Sequence, residues 1–379
     1  MKVCLLSSMH PPQDKRVFDK EAVTLASVGH EVMHLCPGID SEAGVNRGVK
    51  IITYPRPYSI KDRLWQLFRL YGMAKKINAD VYHCNEVDSW VVGVFLNIFR
   101  NKRCLFDVHE HYPSTFAESR FPRWFQPVVA ASIRLVFRVL TPFTDRVILA
   151  KKTVGADFLN ADSKKVLVRN FTPLSGLNFA GRRSILKKGD MVTLLHLGLF
   201  SKIRGWPQLL KSMDLMKYKN VRLEVIGEFH DGTRSEFDAS VKKYGLADRV
   251  VVYDWMPFDQ AFQHLLGAHI GLVIFQPGIL NHVYAMPHKM FDYMAAGMAV
   301  VCPDFAVEVA PFVEESGCGV LVDPSDAHGL ASKLDELVAS PETINELGAR
   351  GQQAVRERYN WEAEAERLVQ MYKDLEAIS

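Results

Sequence analysis

The sequence has no C-x-x-C pair. Its six cysteines, Cys4, Cys36, Cys84, Cys104, Cys302 and Cys318, stand mostly inside apolar runs such as "KVCLLSS" and "AVVCP". That argues against a zinc site or redox dithiol and for buried free thiols in a reducing compartment. No stretch of about 18 apolar residues runs without a charge, so no membrane span is expected. Only Lys2 precedes "VCLLSS", and Met9, His10 and Pro11 end that run too early for a signal-peptide core. No G-x-G-x-x-G follows a strand-like run, which argues against a nicotinamide or flavin dinucleotide. The P-loop pattern and the G-x-S-x-G elbow of hydrolases are also missing. No two aspartates stand two apart, so there is no D-x-D pair to hold a diphosphate through a divalent ion.

What is present is an ordinary globular composition: 379 residues, 48% hydrophobic and 23% charged, enough for two domains with separate cores. The net charge of +3 hides an asymmetry. Residues 1–170 hold 25 Lys and Arg against 16 Asp and Glu, and the remainder holds 21 against 27. A basic first half suggests an anionic partner there. Short apolar runs alternate with helix-length segments. They are "KVCLLSS", "HEVMHLC", "VKIITY", "DVYHC", "RCLFDVH", "DRVILA" and "KVLVRN", then "TLLHLG", "LEVIG", "RVVVYDW", "IGLVIF", "AVVC" and "GVLVD". Continuous Val/Ile/Leu runs of this kind predict parallel sheets covered on both faces. The alternation occurs twice. It predicts an α/β chain of two Rossmann-like domains facing a cleft, 1–170 and 191–359, joined by a Gly-, Ser- and Arg/Lys-containing linker over 171–190. The stripe Trp361, Ala365, Leu368, Met371 and Leu375 predicts a closing helix over 360–379 that packs back on one of the two.

Two stretches carry chemistry. In "PHKMFDYMAAGMAVV", Pro287 suits a helix start and Gly297 a helix stop. Met290, Phe291, Met294, Ala295 and Met298 form the apolar stripe, with Lys289 and Asp292 on the opposite side. A helix N-terminus attracts anions. Lys289 would add a full charge there, and Asp292 could accept hydrogen bonds from a diol, a combination that fits a nucleotide sugar. An exposed i,i+3 ion pair is the alternative. In "LLHLGLFSKIRGWPQLLKSM", a strand ends at Gly198 and a loop carries Arg204-Gly205 into a helix. There Arg204 could clamp a diphosphate or be an ordinary loop arginine.

Gly198…Arg204-Gly205 resembles the G-x5-K/R-G loop of family-four retaining glycosyltransferases of GT-B fold. "NHVYAMPHKMFDYMAAGMAVV" is similar to the N-x2-Y-x2-P-x-K-x-F-[ED]-Y-M-A-x-G signature of bacterial members. "HPPQDKRVFDKEAVTLASVGHEV", "FDVHEHYP" and "YNWEAEAERLVQMY" resemble the family's first loop and helix, its acceptor-domain D-x-H-E segment and its closing helix. The resemblance spans nearly the whole chain in order. It implies a hexosyl- or N-acetylhexosaminyl-transferase that needs no metal and no cofactor beyond its donor. Arg204 and Lys289 would meet the donor diphosphate, Asp292 the ribose and His109 the donor sugar. Gly198, Tyr284, Met286 and Pro287 would line the donor site. His10, Asp14, Arg16 and Glu110 would lie on the acceptor side, and the loop Ser8–Arg16 would approach the phosphates or the acceptor. The sequence departs from the pattern where two glutamates eight apart are common, which are here Tyr284 and Asp292, at Leu199 where arginine is usual, and at Pro11-Pro12 where two glycines are usual.

The implied partners are a UDP- or GDP-linked sugar and an acceptor glycan, expected to be lipid-linked, in polysaccharide or glycolipid assembly. Two basic, aromatic segments, Phe121–Leu140 and Ile60–Ile77, read either as domain packing or as a surface for an anionic membrane, which would make the protein cytoplasmic and peripheral. Nucleic acid is not expected, since no binding motif accompanies the charge. His109-Glu110-His111 could supply metal ligands, but successive side chains on a strand diverge. His83 and Asp88 could line the cleft or serve packing and capping, Glu21 reads as capping chemistry, and His196 as a core histidine. A nucleotide-sugar epimerase or hydrolase, or a non-catalytic nucleotide-sugar-binding protein, are the alternative functions.

Overall fold

The structure is a computed structural model that describes residues 1–57, 59–179 and 185–377. The chain divides into two compact units, Met1–Asn170 with Trp361–Ser379, and Phe171–Asn360.

The first unit is built on eight strands: β1 (Lys2–Leu6), β2 (Glu31–Pro37), β3 (Gly44–Asn46), β4 (Val49–Tyr54), β5 (Val81–Cys84), β6 (Arg103–Val108), β7 (Arg146–Leu149) and β8 (Lys165–Leu167). They lie in the order β3-β4-β2-β1-β5-β6-β7-β8. All neighbours are parallel except β3, which pairs antiparallel with β4. Its hairpin turns through Arg47 and Gly48, both at positive φ. The sequence pattern misses β3 because it is a three-residue exposed edge strand with no apolar run. The short helix α1 (Val23–Ser27) follows a wide helical turn, Val17–Ala22. Then come α2 (Ile60–Ile77), α3 (Val87–Arg100), α4 (Tyr112–Arg120) and α5 (Gln126–Leu140). Residues of α2, α3 and α5 share one core with the sheet, where Trp90 stacks on Phe106 at 4.1 Å and Phe137 meets both edge-on.

The second unit has β9 (Val192–Leu197), β10 (Val221–Ile226), β11 (Val250–Tyr253), β12 (Ile270–Leu272), β13 (Ala299–Pro303) and β14 (Gly319–Val322). Their order is β11-β10-β9-β12-β13-β14, all parallel. Its helices are α6 (Trp206–Leu215), α7 (Arg234–Lys243), α8 (Phe258–Gly267), α9 (Leu280–Val283), α10 (His288–Ala295), α11 (Ala310–Ser316), α12 (Ala327–Ala339) and α13 (Pro341–Glu357). The last helix, α14 (Trp361–Ala377), belongs to the first unit. It buries Trp361, Leu368, Met371 and Tyr372 on the sheet face that also carries Val17–Ala22.

One expectation needs correcting. Much of the segment 171–190 is not a free linker. Phe171 is buried against Phe291 at 4.5 Å, and Leu174, Leu177 and Phe179 pack on the same core. The apolar residues are spaced irregularly among Gly and Ser, so the composition hides them. Residues 180–184 of that segment, and the last two of the closing helix, lie outside the described residues.

In each sheet the order reverses once beside a central strand: at β1 between β2 and β5, and at β9 between β10 and β12. In open α/β sheets the crevice at the carboxyl ends of such strands is where ligands bind. This puts two loops in functional position, the one after β1 and the one after β9.

Candidate active site

The loop after β9 starts at Gly198, at φ 94°, and reaches Gly205 through a short turn, Lys202–Arg204. Gly205 sits at φ 88°, and a Cβ there would lie 2.3 Å from the carbonyl oxygen of Ile274. Only glycine meets both conditions, so the glycine after Arg204 is a steric requirement. The amide of Gln276 donates to the carbonyl of Ile203 at 3.0 Å, which ties the loop to the chain leaving β12.

The helix α10 begins beside this loop. Pro287 is its N-cap rather than its first helical residue, and Gly297, at φ 76°, ends it. Tyr293 fixes it to the sheet. The tyrosine hydroxyl accepts from the amide of Leu197 at 2.8 Å and faces the carbonyl of Leu272. The alternative of an exposed ion pair between Lys289 and Asp292 fails. Lys289 is 8% exposed and Asp292 2%. The eight-residue helix is enclosed by β12 and β13, α13 and α8, so it has no solvent face to which a wheel of polar positions could apply.

The two side chains do not pair with each other. The Asp292 carboxylate accepts from the Thr172 hydroxyl at 2.6 Å and meets His288 Nδ1 at 3.0 Å. Lys289 Nζ turns instead to His196 Nε2, at 3.2 Å. Arg204 and Lys289 both lie over the ring of Phe275, at 5.4 and 5.6 Å from its centroid. Among the described residues no carboxylate lies within ion-pair distance of either, and Arg204 Nε is buried with no partner. Burial, and then the charge of Arg204, hold the Lys289 pKa well below its ordinary value. Burial likewise lowers that of Arg204. Two basic side chains thus converge on one aromatic ring at a helix start with no carboxylate beside them, an arrangement that can take an anion. Of the other expected donor residues, Tyr284 ends α9, Met286 packs on the unit's core, and Gly198 opens the loop.

In the first unit Glu86 organises the loop after β1. Its carboxylate accepts from the amides of Ser8, Met9 and His10 at 2.8, 2.9 and 3.1 Å. His10 Nδ1 meets Asp14 Oδ2 at 3.1 Å, and the His10 ring stacks on that of His109 at 5.1 Å. Burial opposes a charge on His10. The Asp14 contact, reinforced by the charges of Glu86, Asp14 and Asp107, outweighs that and raises its pKa to about 9. His109 Nε2 lies 3.0 Å from Asp107.

Arg16, expected on the acceptor side, faces inward and is 3% exposed. Its guanidinium forks onto Asp107 at 2.8 Å, meets Glu21 at 3.0 Å and donates to the carbonyl of Val168. Here it holds the loop base together. Glu21, His83 and Asp107 have metal-like proximity, but Arg16 already fills that acidic cluster. Glu21 is therefore a buried member of this network rather than a cap. Burial, and then the charge of Asp107, raise its pKa well above the usual carboxylate range.

His109, Glu110 and His111 lie past the end of β6, in the turn that leads into α4, and their side chains take separate surroundings. Glu110 is exposed, while His111 caps α4 and contacts Asp157 at 3.2 Å. His83 is a core residue bonded to Tyr372 at 3.0 Å, and Asp88 pairs with Arg63 at 2.5 Å. Sequence reasoning missed Phe275 and Glu86, gave Asp107 no role of its own and set His196 aside as core. The first two follow strands that border the reversal points, which is the signal that could have found them.

These features define a protein of GT-B fold, two doubly wound units, the second with Arg204 and Lys289 gathered over Phe275 at a helix start. Residues 180–354 match the family "Glycosyl transferases group 1", and residues 16–170 match "Glycosyltransferase Family 4". The chain belongs to the family-four glycosyltransferases. A comparison with curated proteins gives no match. Among solved structures, sucrose-phosphate synthase from Thermosynechococcus elongatus is similar over 100% of both chains, with TM-score 0.77 and 19% identity. A glycosyltransferase from Rickettsia africae gives TM-score 0.74 at 13% identity over 100% of this chain and 99% of that one. HepE of Anabaena in complex with UDP-glucose gives 0.73 at 13% over 99% and 100%. At these identities the likeness shows the fold.

Proposed function

We propose that this glycosyltransferase moves a hexosyl or N-acetylhexosaminyl group from a UDP- or GDP-sugar to an acceptor hydroxyl with retention of configuration, using no metal. The observation that carries the reading is the pair Arg204 and Lys289, two basic side chains without a carboxylate, gathered over Phe275 at the start of α10. As the bond from sugar to phosphate breaks, negative charge grows on the departing diphosphate. Preorganised cations in a dry pocket stabilise that charge where it develops. The leaving phosphate oxygen then takes the proton of the incoming hydroxyl on the same face of the sugar, which yields retention without a protein nucleophile. The UDP and UDP-glucose in the HepE structures support a nucleotide-sugar donor. His109, held by Asp107, is assigned to the sugar and Asp292 to the ribose.

The test is transfer from UDP- and GDP-sugars in excess EDTA. Full activity supports the reading, and loss with rescue by manganese overturns it. Donor turnover with no acceptor present would favour the epimerase or hydrolase alternative instead.

The proposed acceptor is lipid-linked, and the first unit is proposed to rest on an anionic bilayer. The support is the outer side of α2, α3 and α5. Trp65 is 74% exposed, Trp124, in the turn before α5, 79%, and Phe68, Phe95, Phe99, Leu135 and Val139 are also exposed. Between α2 and α3 runs an apolar groove of about 420 Å³ lined by Leu64, Leu67, Phe68, Tyr71, Phe95 and Phe99. The helix α3 was no part of the sequence expectation. On α2, Lys61 and Lys75 continue the stripe that carries Leu64, Phe68 and Tyr71, so each end of the apolar stripe is cationic, as at a headgroup boundary. No helix among the described residues is long and apolar enough to cross a membrane. Phe68→Gln with Phe99→Gln should abolish flotation with vesicles rich in phosphatidylglycerol and leave UDP binding unchanged. Unchanged flotation rejects this surface.

A further inference from the structure

The contacts of His196 do not close as they stand. This residue on β9 is fully buried. Its Nε2 lies 3.2 Å from the carbonyl oxygen of Leu199 and also 3.2 Å from Nζ of Lys289. A nitrogen facing a carbonyl must carry a proton, and a nitrogen facing an ammonium must not. One arrangement satisfies both contacts: Nε2 carries its proton and shares it between the Leu199 carbonyl and the lone pair of an unprotonated Lys289 amine. The other ring nitrogen, Nδ1, is buried with no partner, so it gives the ring no alternative hold.

The surroundings favour that state. The groups around Lys289 are His196 from β9, Arg204 from the loop, the Cys302 thiol from β13 and the face of Phe275, with His282 stacked on the same ring from α9. None is a carboxylate. Burial keeps the Cys302 thiol neutral and lowers the pKa of both Lys289 and His196. Asp292, on the same helix, faces Thr172 and His288 and forms no ion pair with Lys289.

We propose that His196 is a positioning residue for Lys289: it holds the lysine as the neutral amine while the diphosphate site is empty and releases it, with uptake of one proton from solvent, when a diphosphate enters. The proton makes Lys289 an ammonium that turns to the phosphate oxygens. His196 Nε2–H then belongs wholly to the Leu199 carbonyl, one residue past Gly198, and steadies the loop that carries Arg204. The inference rests on the diphosphate-site reading above and adds to it a residue and a proton. Leu199 stands where the family resemblance leads one to expect an arginine, so the loop presents one fixed charge fewer. A charge that arrives with the ligand fills that place and avoids holding a second buried cation beside Arg204 in the empty protein.

The experiment is titration calorimetry of the full chain with UDP, and with GDP, at pH 8 in buffers of low and high ionisation enthalpy. At that pH the terminal phosphate, with its second pKa of about 6, is already fully ionised, so it neither gives nor takes a proton. The expected result is uptake of close to one proton per nucleotide by the parent protein. Lys289→Met should take up none. His196→Gln should take up well under half, because its amide can donate to Leu199 and its carbonyl can accept from a charged lysine. Nitrogen-15 spectra of labelled histidine should show one imidazole, absent from His196→Gln, changing its ring signals on nucleotide addition. Nucleotide binding without proton uptake, or with equal uptake in Lys289→Met, overturns this inference and leaves the diphosphate site standing. Failure of both UDP and GDP to bind overturns the two together.

Discussion

Replacing Lys289 by methionine keeps the unbranched stem and removes the charge, so it separates what the ammonium does for catalysis from what it costs the fold. Truncation to alanine would confuse the two, because the residue is 8% exposed and would leave a cavity. If Lys289 meets the leaving diphosphate, its loss removes one oriented donor at the point where charge develops. Such a loss lowers kcat by about 10²–10³, or roughly 2.7–4 kcal/mol of transition-state stabilisation.

Stability should move the other way. The lysine pKa is depressed by burial and by Arg204, so below the unfolded value of about 10.4 the unfolded chain binds a proton that the native state does not. Native stability therefore falls as pH drops from that value toward the depressed one, and levels off below it. Methionine carries no such penalty and should be more stable at pH 7 by something of order 1–3 kcal/mol. For a unit of about 190 residues, Phe171–Asn360, that is a melting temperature raised by roughly 2–12 °C. UDP at about 100 times its Kd should add about 2.7 kcal/mol to the parent and much less to the variant. Steady-state kinetics and melting curves from pH 7 to 10 measure all three. A Lys289→Met enzyme with parental kcat, or one that melts lower at pH 7 than at pH 10 relative to the parent, refutes the reasoning.

Gly205→Ala should destabilise the second unit by at least about 2 kcal/mol, since the left-handed backbone alone costs about 1–2 and the new Cβ would overlap the Ile274 carbonyl oxygen at 2.3 Å. A lowered denaturant midpoint with an unchanged slope is the expected signature, and a midpoint equal to the parent's would contradict it. For His10 the folded pKa, about 9, lies above the unfolded 6.5, because Asp14, Glu86 and Asp107 outweigh burial. Its contribution is therefore complete below pH 6.5 and is lost as pH rises through 9. His10→Gln should flatten the stability profile between those limits by about 1–3 kcal/mol; parallel profiles for parent and variant would show that the contact with Asp14 carries no stability.

The six strands of the second unit are legible in the sequence because each carries a short apolar run, and β12 and β13 are buried along their whole length. The strand β3, exposed and three residues long, offers no such run and is invisible. Arg204-Gly205 and Lys289 can be picked out because loop-then-helix patterns are local, written within a few residues. The environment of Lys289 is not local. A helical wheel assumes one wet side, and α10 has none, since β12, β13, α8 and α13 enclose it.

The sequence by itself determined the alternation of strands and helices, the glycines that end them and the cations that stand at their loops, because each follows from the preferences of neighbouring residues. The strand order was decided only by the tertiary structure. With it came the ring of Phe275 under both cations, the placing of His196 beside Lys289 and the turning of Arg16 inward onto Asp107. Those pairings join residues 14 to 93 positions apart, His196 to Lys289 being the widest and Phe275 to Lys289 the narrowest, and a buried charge selects its partner by distance and solvation in the packed core, which no local pattern encodes.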